Sequence, residues 1–393
     1  MKHFARRSRE SLATRRNLQS LLGWLWLIDA ALQLQPRMLT SRFSAEVLGE
    51  NTMGPPNVLT NLIHTIALHI SAHPTAWDIF FVVVQALLGV ALLSHRFETV
   101  VLAGSTAWGI MVWIVGEGLG GILVPQASIL TGAPGSALLY SAISLVLLPS
   151  PNGSVEPSTN SPGGSSPSPP AASTPADSGL LGQMGSRVMW ALVWISTSLL
   201  ELESANHAPN AISAQISANA SGEPWLIAKL DHLAASATLG KGTLVAFAIL
   251  LLGCLTGTWA LRRSTLRPAL ALGIILAIIY WVLGQNFGAV FTGGSTDPNT
   301  GPAFVLLALC LWPQSTGPSK HARQLVGRFR KASTLRHAAD IRENYLQGLA
   351  QHSKNIGSCN FGSPGSPARL LAMVSKPCSL ANPPLRPDPS LGS

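Results

Sequence analysis

The chain of 393 residues is 47% hydrophobic and only 11% charged, with a net charge of +9. A soluble protein of this size needs more charged surface, and the apolar residues are gathered into runs almost free of charge, so the composition argues for membrane spans and against a water-soluble globular fold. The positive balance calls for no nucleic-acid partner, because the placement of Lys and Arg around the spans accounts for most of it.

In chain order, residues 1–17 form a basic N-terminus carrying Lys2, Arg6, Arg7, Arg9, Arg15 and Arg16. No small-x-small cleavage site follows the first apolar run, so it reads as an uncleaved signal-anchor helix. Apolar runs near 18–35, 75–94, 97–116 and 135–149 make a first membrane unit within 18–150. Residues 151–186 are rich in Pro, Ser and Gly without apolar periodicity and read as a disordered cytoplasmic linker. Runs near 188–202, 242–261, 268–284 and 302–313 make a second unit within 187–313. Several approach the roughly 20 residues that cross a bilayer, whereas 135–149 and 302–313 are short and are the matched fourth segments. The tail 314–393 is basic and mostly disordered, with an amphipathic helix expected over 319–352 that would touch anionic lipid headgroups.

The membrane part is written twice. A shift of 168 positions superposes Trp26 on Trp194, Gly54 on Gly222, His64 on His232, Gly89 on Gly257 and Trp113 on Trp281. A repeat this long is two structural units rather than a solenoid period. The predicted fold is therefore an all-α integral membrane protein of eight transmembrane helices in two parallel four-helix repeats. An even number of spans puts both termini on one side, and 22 of the 26 Lys and Arg residues fall on that side. Both termini are thus expected in the cytoplasm of a plasma-membrane protein. Repeats that start and end inside are related by an axis along the membrane normal, with any shared site near the middle.

The chemistry is expected on the outer face, in two places. The first is an amphipathic loop helix over 57–72, carrying His64, His69 and His73. His69 and His73 are one turn apart, which is ligand-like spacing for zinc or copper, while His64 points to the far side. The second copy keeps His232 at the position of His64. The four histidines are metal-ligand or proton-carrier candidates, against the plainer reading of surface residues. The cysteines, Cys254, Cys310, Cys359 and Cys378, match no zinc spacing and lie in no outside loop.

The second place is a motif at the outer end of spans three and seven, Trp-x-x-Gly-(Glu or Gln)-x-x-Gly. It runs from Trp113 through Gly116, Glu117 and Gly120, and from Trp281 through Gly284, Gln285 and Gly288. Tryptophan suits the interface, and the repeat glycines allow unwinding or close backbone approach. Each motif precedes a Gly- and Pro-marked segment, 121–134 or 289–302, expected to dip towards the membrane as non-helical backbone. Glu117 at a span end is a candidate for cation or proton binding, or else a cap for nearby amides. Asp29 in span one would need a partner such as Gln33 or Gln85, and Thr197 replaces it in the second copy. Glu117, Gln285, Trp113, Trp281 and Asp29 form the predicted solute or cation site.

A four-span unit opening with Leu21-Leu22-Gly23-Trp24-Leu25-Trp26, then an outer loop, a Gly-marked span and a glycine break, resembles the DoxX-like small membrane proteins. Here the unit would be doubled and fused. Its Ala, Gly and Pro content also resembles that of multi-pass proteins of high-GC bacteria. The DoxX-like resemblance implies quinone-linked oxidation or thiol redox balance; no family catalytic residue maps onto this chain. Three functions stay open: binding or moving a small solute or cation at an outward-facing site, a redox component handling quinone or a metal, and a scaffold acting through linker and tail. No Walker motif, dinucleotide fingerprint, Ser-His-acid pattern or haem-attachment pair is present, and neither an enzyme class nor a cofactor follows from the residues.

Overall fold

Proline, glycine and capping side chains cut the apolar runs into helices. The computed structural model describes residues 14–40, 57–150 and 179–313, with Ala176, Glu343, Leu346, Gln347 and Ala350 besides. Helix α1 spans Arg15–Gln33, opened by Thr14, whose hydroxyl accepts from Asn17 N. The loop helix α2 spans Asn57–Ala72, and α3 follows over Pro74–Ser94 with proline in its first turn, where a missing N–H costs nothing. Helices α4 and α5 occupy Glu98–Val115 and Ser136–Leu147. The second half has α6 over Gly182–Leu199, two 3-10 turns through His207, and α7 over Ala211–Asn219. Helices α8 to α11 then span Trp225–Thr238, Gly242–Ala260, Leu266–Leu283 and Thr300–Leu311. Among the described residues there is no strand, only one isolated bridge between Pro149 and Gly179.

The spacing of these helices recurs. Helices α2, α3 and α4 begin at Asn57, Pro74 and Glu98, and α8, α9 and α10 begin 168 positions later at Trp225, Gly242 and Leu266. Helices α5 and α11 are both 12 residues long but start 164 positions apart, so the second break is the shorter one. Packing recurs as well. In the first half α1 packs on α3, α3 on α4 and α4 on α5; in the second α6 packs on α9, α9 on α10 and α10 on α11. Helices α5 and α11 also pack on each other and join the halves.

Helix α1 runs antiparallel to α3 and α5, as bonds between their ends require. The Arg15 guanidinium at the start of α1 donates to Leu147 O at the end of α5, and Gln19 Nε2 donates to Leu92 O near the end of α3 at 2.9 Å. At α1 and α3 the backbones close on Gly23 and Gly89, where an added Cβ would lie 2.9 and 2.8 Å from the other's carbonyl oxygen. Trp26, Trp190, Trp194, Tyr140 and Phe304 are the largest fully buried side chains of the core.

Four helices, α3, α4, α9 and α10, are long and apolar enough to cross a membrane, and α5 and α11 are shorter apolar helices. A 12-residue helix rises about 18 Å, short of a hydrocarbon core of about 30 Å. Both short helices are buried along most of their length, so protein and not lipid meets their ends. The outer helices instead expose apolar side chains, among them Trp24, Leu87, Val100, Leu192 and Leu251. Exposed apolar faces of this extent belong to a membrane protein.

Boundaries differ from the sequence expectation in two places. Helix α6 begins at Gly182, inside the segment 151–186 read as linker, and α7 with the 3-10 turns adds helical structure where only a loop helix was expected. Most of that linker and of the tail lies outside the described residues, as do Cys359 and Cys378. Of the helix expected over 319–352, Glu343, Leu346, Gln347 and Ala350 are described, each helical.

Candidate functional site

The break between α4 and α5 and the break between α10 and α11 are built alike. Trp113 Nε1 donates to Pro134 O at 2.7 Å, and Trp281 Nε1 donates to Pro298 O at 2.8 Å. Gly120 and Gly288 have φ +65° and +78°, and a Cβ on either would run into the backbone of Pro134 or Pro298. Each tryptophan and glycine therefore ties the span end to the proline that precedes the next helix. The indole N–H groups are used in this way, and neither tryptophan lines the cavity described below.

The acid and amide of the motif cap the short helices. Glu117 Oε1 accepts from Ser136 Oγ at 2.7 Å and from Ala137 N at 3.0 Å, in the first turn of α5. Gln285 does the same at α11, accepting from Gly301 N at 3.2 Å and donating to Thr300 Oγ1 at 2.9 Å. Helix N-termini leave N–H groups unsatisfied, so an acceptor from the preceding span end serves both halves. The plainer expectation for Glu117, that it caps amides, thus describes one of its oxygens. The other, Oε2, is buried without a hydrogen-bond partner among the described residues.

What the sequence did not reveal is that each break reaches into the opposite half. In the segment after Gly120, Ser128 Oγ donates to Glu201 Oε1, Gln126 N donates to Glu203 Oε2 at 3.0 Å and Ala127 O accepts from Asn206 Nδ2 at 2.9 Å. Ile129 O accepts from Gln285 Nε2 at 3.4 Å, and Leu130 closes on the Cβ-less face of Gly284. In exchange, Thr296 and Asp297 of the second break line a chamber with Asp29, Gln33, Gln85 and Tyr140 of the first half. Backbone groups of Gln126, Ala127 and Ile129 in the first break are thereby satisfied by the second half, while the printed backbone bonds of 289–302 are made within its own half.

Between the halves lies an open cavity of about 1030 Å³. Its wall includes Arg37, Glu117, Gly120, Ser128, Ser136, Gln215, Asn219, Gln285, Asn286 and Asp297. It sits where α4 ends and α5 begins, the side that carries few Lys and Arg residues. Gly116, Glu117, Ser136, Thr296 and Asp297 also line the smaller chamber, of about 50 Å³, which leads from this cavity to Asp29. There Tyr140 OH donates to Asp29 Oδ1 at 3.3 Å, so the partner Asp29 needed is a tyrosine, with Gln33 and Gln85 nearby.

Charge at the base of the cavity is set by burial. Burial, and then the neighbouring charge of Asp297, push the Glu117 carboxyl above its usual range, while bonds from Ala137 N and Ser136 pull the other way. Burial likewise raises Asp297, against bonds from Asn299 N, Ser136 and Thr296. Ser136 is therefore common to both carboxyls. In the second half burial pushes Glu201 up to about 7, against its bond to Ser128.

The histidines stand apart. His64 and His69 are exposed on α2, His73 is exposed at the start of α3 and His232 is exposed on α8. His69 Nδ1 bonds the backbone oxygen of Thr65 at 2.8 Å. Among the described residues no three His, Cys, Asp or Glu side chains are grouped to hold a metal ion. Sequence reasoning singled out Glu117, Gln285 and Asp29, all at or beside the cavity, and missed Asp297, Ser136 and Tyr140 as lining residues and Glu201, which holds the lining residue Ser128 from behind. Two of these left a trace: Asp297 is the only acid in either break, and Glu201 lies 168 positions after Gln33.

In comparisons with protein-family models, curated proteins and solved structures, nothing matches the chain.

Proposed function

We propose that the protein is a plasma-membrane protein of two parallel four-span repeats that binds or moves a small cationic solute at the cavity between them. The eight crossings would be α1, α3, α4, α5, α6, α9, α10 and α11, with both termini cytoplasmic and α2 and α8 on the outer surface. The recurrence of helix starts and the α5–α11 packing support the repeat. The DoxX-like resemblance enters as the reading of each half; it supplies outline and no residue role. The basic tail would rest on anionic headgroups, at about 1 kcal/mol per basic residue near the surface.

One observation carries the function. Glu117 and Asp297 come from opposite halves and line the same cavity wall. Arg37 is the one basic side chain among the described lining residues, and deeper in, Asp29 adds a third carboxyl. A cleft in which one sign of charge predominates, with low-dielectric walls, concentrates ligands of the opposite sign. A volume of about 1030 Å³ accommodates a small organic solute with its water. A metal-linked redox reading would need a ligand set, and among the described residues no three His, Cys, Asp or Glu side chains are grouped as one.

The test is a thermal-shift screen of purified protein against small organic cations, followed by equilibrium binding with Glu117→Gln and Asp297→Asn. Loss of at least about tenfold in affinity, roughly 1.4 kcal/mol, in both folded variants supports the proposal. Unchanged binding in both would overturn it.

A further inference from the structure

The chamber beneath the cavity has an excess of acceptors that solute binding does not use. Its lining includes the carboxyls of Asp29, Glu117 and Asp297, and no Lys, Arg or His among the described residues. At about 50 Å³ it has room for one or two waters and not for an organic solute. The hydroxyls that line it are already engaged by carboxyls. Tyr140 donates to Asp29 at 3.3 Å, Ser136 to Glu117 at 2.7 Å and Thr296 to Asp297 at 3.1 Å. Glu117 Oε2, Gln33 Oε1 and Gln85 Oε1 remain buried without partners among the described residues, and Gln33 and Gln85 are 6% and 4% exposed. Three ionised carboxylates here would leave a concentrated negative charge in low dielectric and several acceptors with no donor. A proton corrects both faults at once, removing a charge and turning an acceptor into a donor.

The other half argues that this is not a by-product of the shared fold. The matches of Asp29, Gln85 and Tyr140 are Thr197, Gly253 and Phe304, and those of Ser105 and Ser144 are Gly273 and Ala308. Where Asp297 enters the first half, the apolar Ile129 and Leu130 enter the second, buried at 1% and 5% exposure.

We propose that the chamber is a proton-holding site coupled to the cavity: with the cavity empty, one proton is shared among Asp29, Glu117 and Asp297. A monovalent cation seated at Glu117 and Asp297 displaces it. The carboxylic O–H breaks, the proton leaves to cavity water, and the new carboxylate balances the cation, so the net charge of the site is conserved. The displacement step rests on the cation-binding reading of the cavity; the proton itself does not.

The groups facing the site come from every element around it: Asp29 and Gln33 from α1, Gln85 from α3, Glu117 from the end of α4, Tyr140 from α5 and Asp297 from the break before α11. Asp78 is buried farther along α3 and does not line the chamber, and Arg37 lines only the wider cavity. On the far side the chamber is closed by Trp26 and Tyr140, whose rings meet edge-on with centroids 5.0 Å apart. Trp26 Nε1 is held by Ser105 Oγ at 2.9 Å, and Ser105 by Ser144 at 2.8 Å. Proton exchange in this conformation is therefore with the cavity side.

Infrared pH-difference spectra of the full-length protein in lipid, in potassium buffer, test the site without any solute. The expected result is a protonated-carboxyl C=O band that persists from mildly acid to neutral pH. Asp29→Asn should remove or displace it, and Thr197→Val, the matched position, should leave it. Tyr140→Phe keeps the ring packing and removes only the hydroxyl, so it should shift the pH at which the band disappears even if the aspartate variant fails to fold. No such band, or a band indifferent to Asp29 and Tyr140, overturns the proposal. A band abolished by sodium at constant pH keeps the displaceable proton and overturns the organic-solute reading of the cavity, in favour of a metal cation. A band with no binding of organic cations in the thermal-shift screen keeps the proton site and sinks the solute reading; binding without a band does the reverse.

Discussion

Trp113 donates its indole N–H to the carbonyl of Pro134 at 2.7 Å across the break between α4 and α5. Trp281 and Pro298 repeat the bond at 2.8 Å in the second half. Trp113→Phe and Trp281→Phe keep an aromatic ring but strand the proline carbonyl. Each should cost about 1–3 kcal/mol, the penalty for a buried acceptor left without its donor. Thermal unfolding in detergent checks this, and a variant as stable as the wild type would show that the bond contributes nothing.

Gly120 and Gly288 combine positive φ with a proline backbone at the place a Cβ would occupy. Gly120→Ala and Gly288→Ala should each destabilise by more than about 2 kcal/mol, because strain and steric overlap add. Gly104→Ala is the control, since its Cβ would meet only Leu88 at 3.8 Å. The yield of monodisperse protein and its unfolding temperature distinguish the two classes.

Stability should fall as pH rises towards neutrality. Burial holds Glu117 and Asp297 above the usual carboxyl range and Glu201 at about 7. An acid with a raised folded-state pKa binds its proton more tightly folded than unfolded, so stability is lost from the ordinary carboxyl value up through the folded value. Unfolding temperature measured against pH should decline over that window. Glu201→Gln, which copies the matched Gln33, should flatten the profile. A parallel profile in the variant would mean that Glu201 does not titrate there.

The exposed histidines should be dispensable. His64→Ala with His232→Ala is expected to change stability by no more than about 0.5 kcal/mol, as for other surface substitutions. Metal content and absorbance of the purified protein should be the same with and without them. A stoichiometric metal lost in the double variant would restore the redox reading.

Gln285 explains why Glu117 was legible and Asp297 was not. The repeat put Glu117 opposite a residue of equal size and hydrogen-bonding capacity, so its charge stood out against a shared capping role. Asp297 has no such foil, because the break before α11 is shorter and the 168-position register fails just there. Tyr140 and Ser136 were hidden for another reason. A hydroxyl in an apolar run carries no periodic signal, and only its neighbours in space give it a carboxylate to bond.

Composition and repetition alone determined the all-helical class with apolar helices fit for a membrane, the loop helix at 57–72 and helix positions close to those found, except the start of α6. These follow from hydrophobic periodicity and capping, which act over a few turns of chain. Only the tertiary structure decided that the breaks cross, that Asp297 joins Asp29 and Glu117, and that Ile129 and Leu130 fill the matching place in the other half. Buried polar backbone must be satisfied by whatever lies nearest in space, and for Gln126, Ala127 and Ile129 those groups are 77, 79 and 156 residues away in sequence.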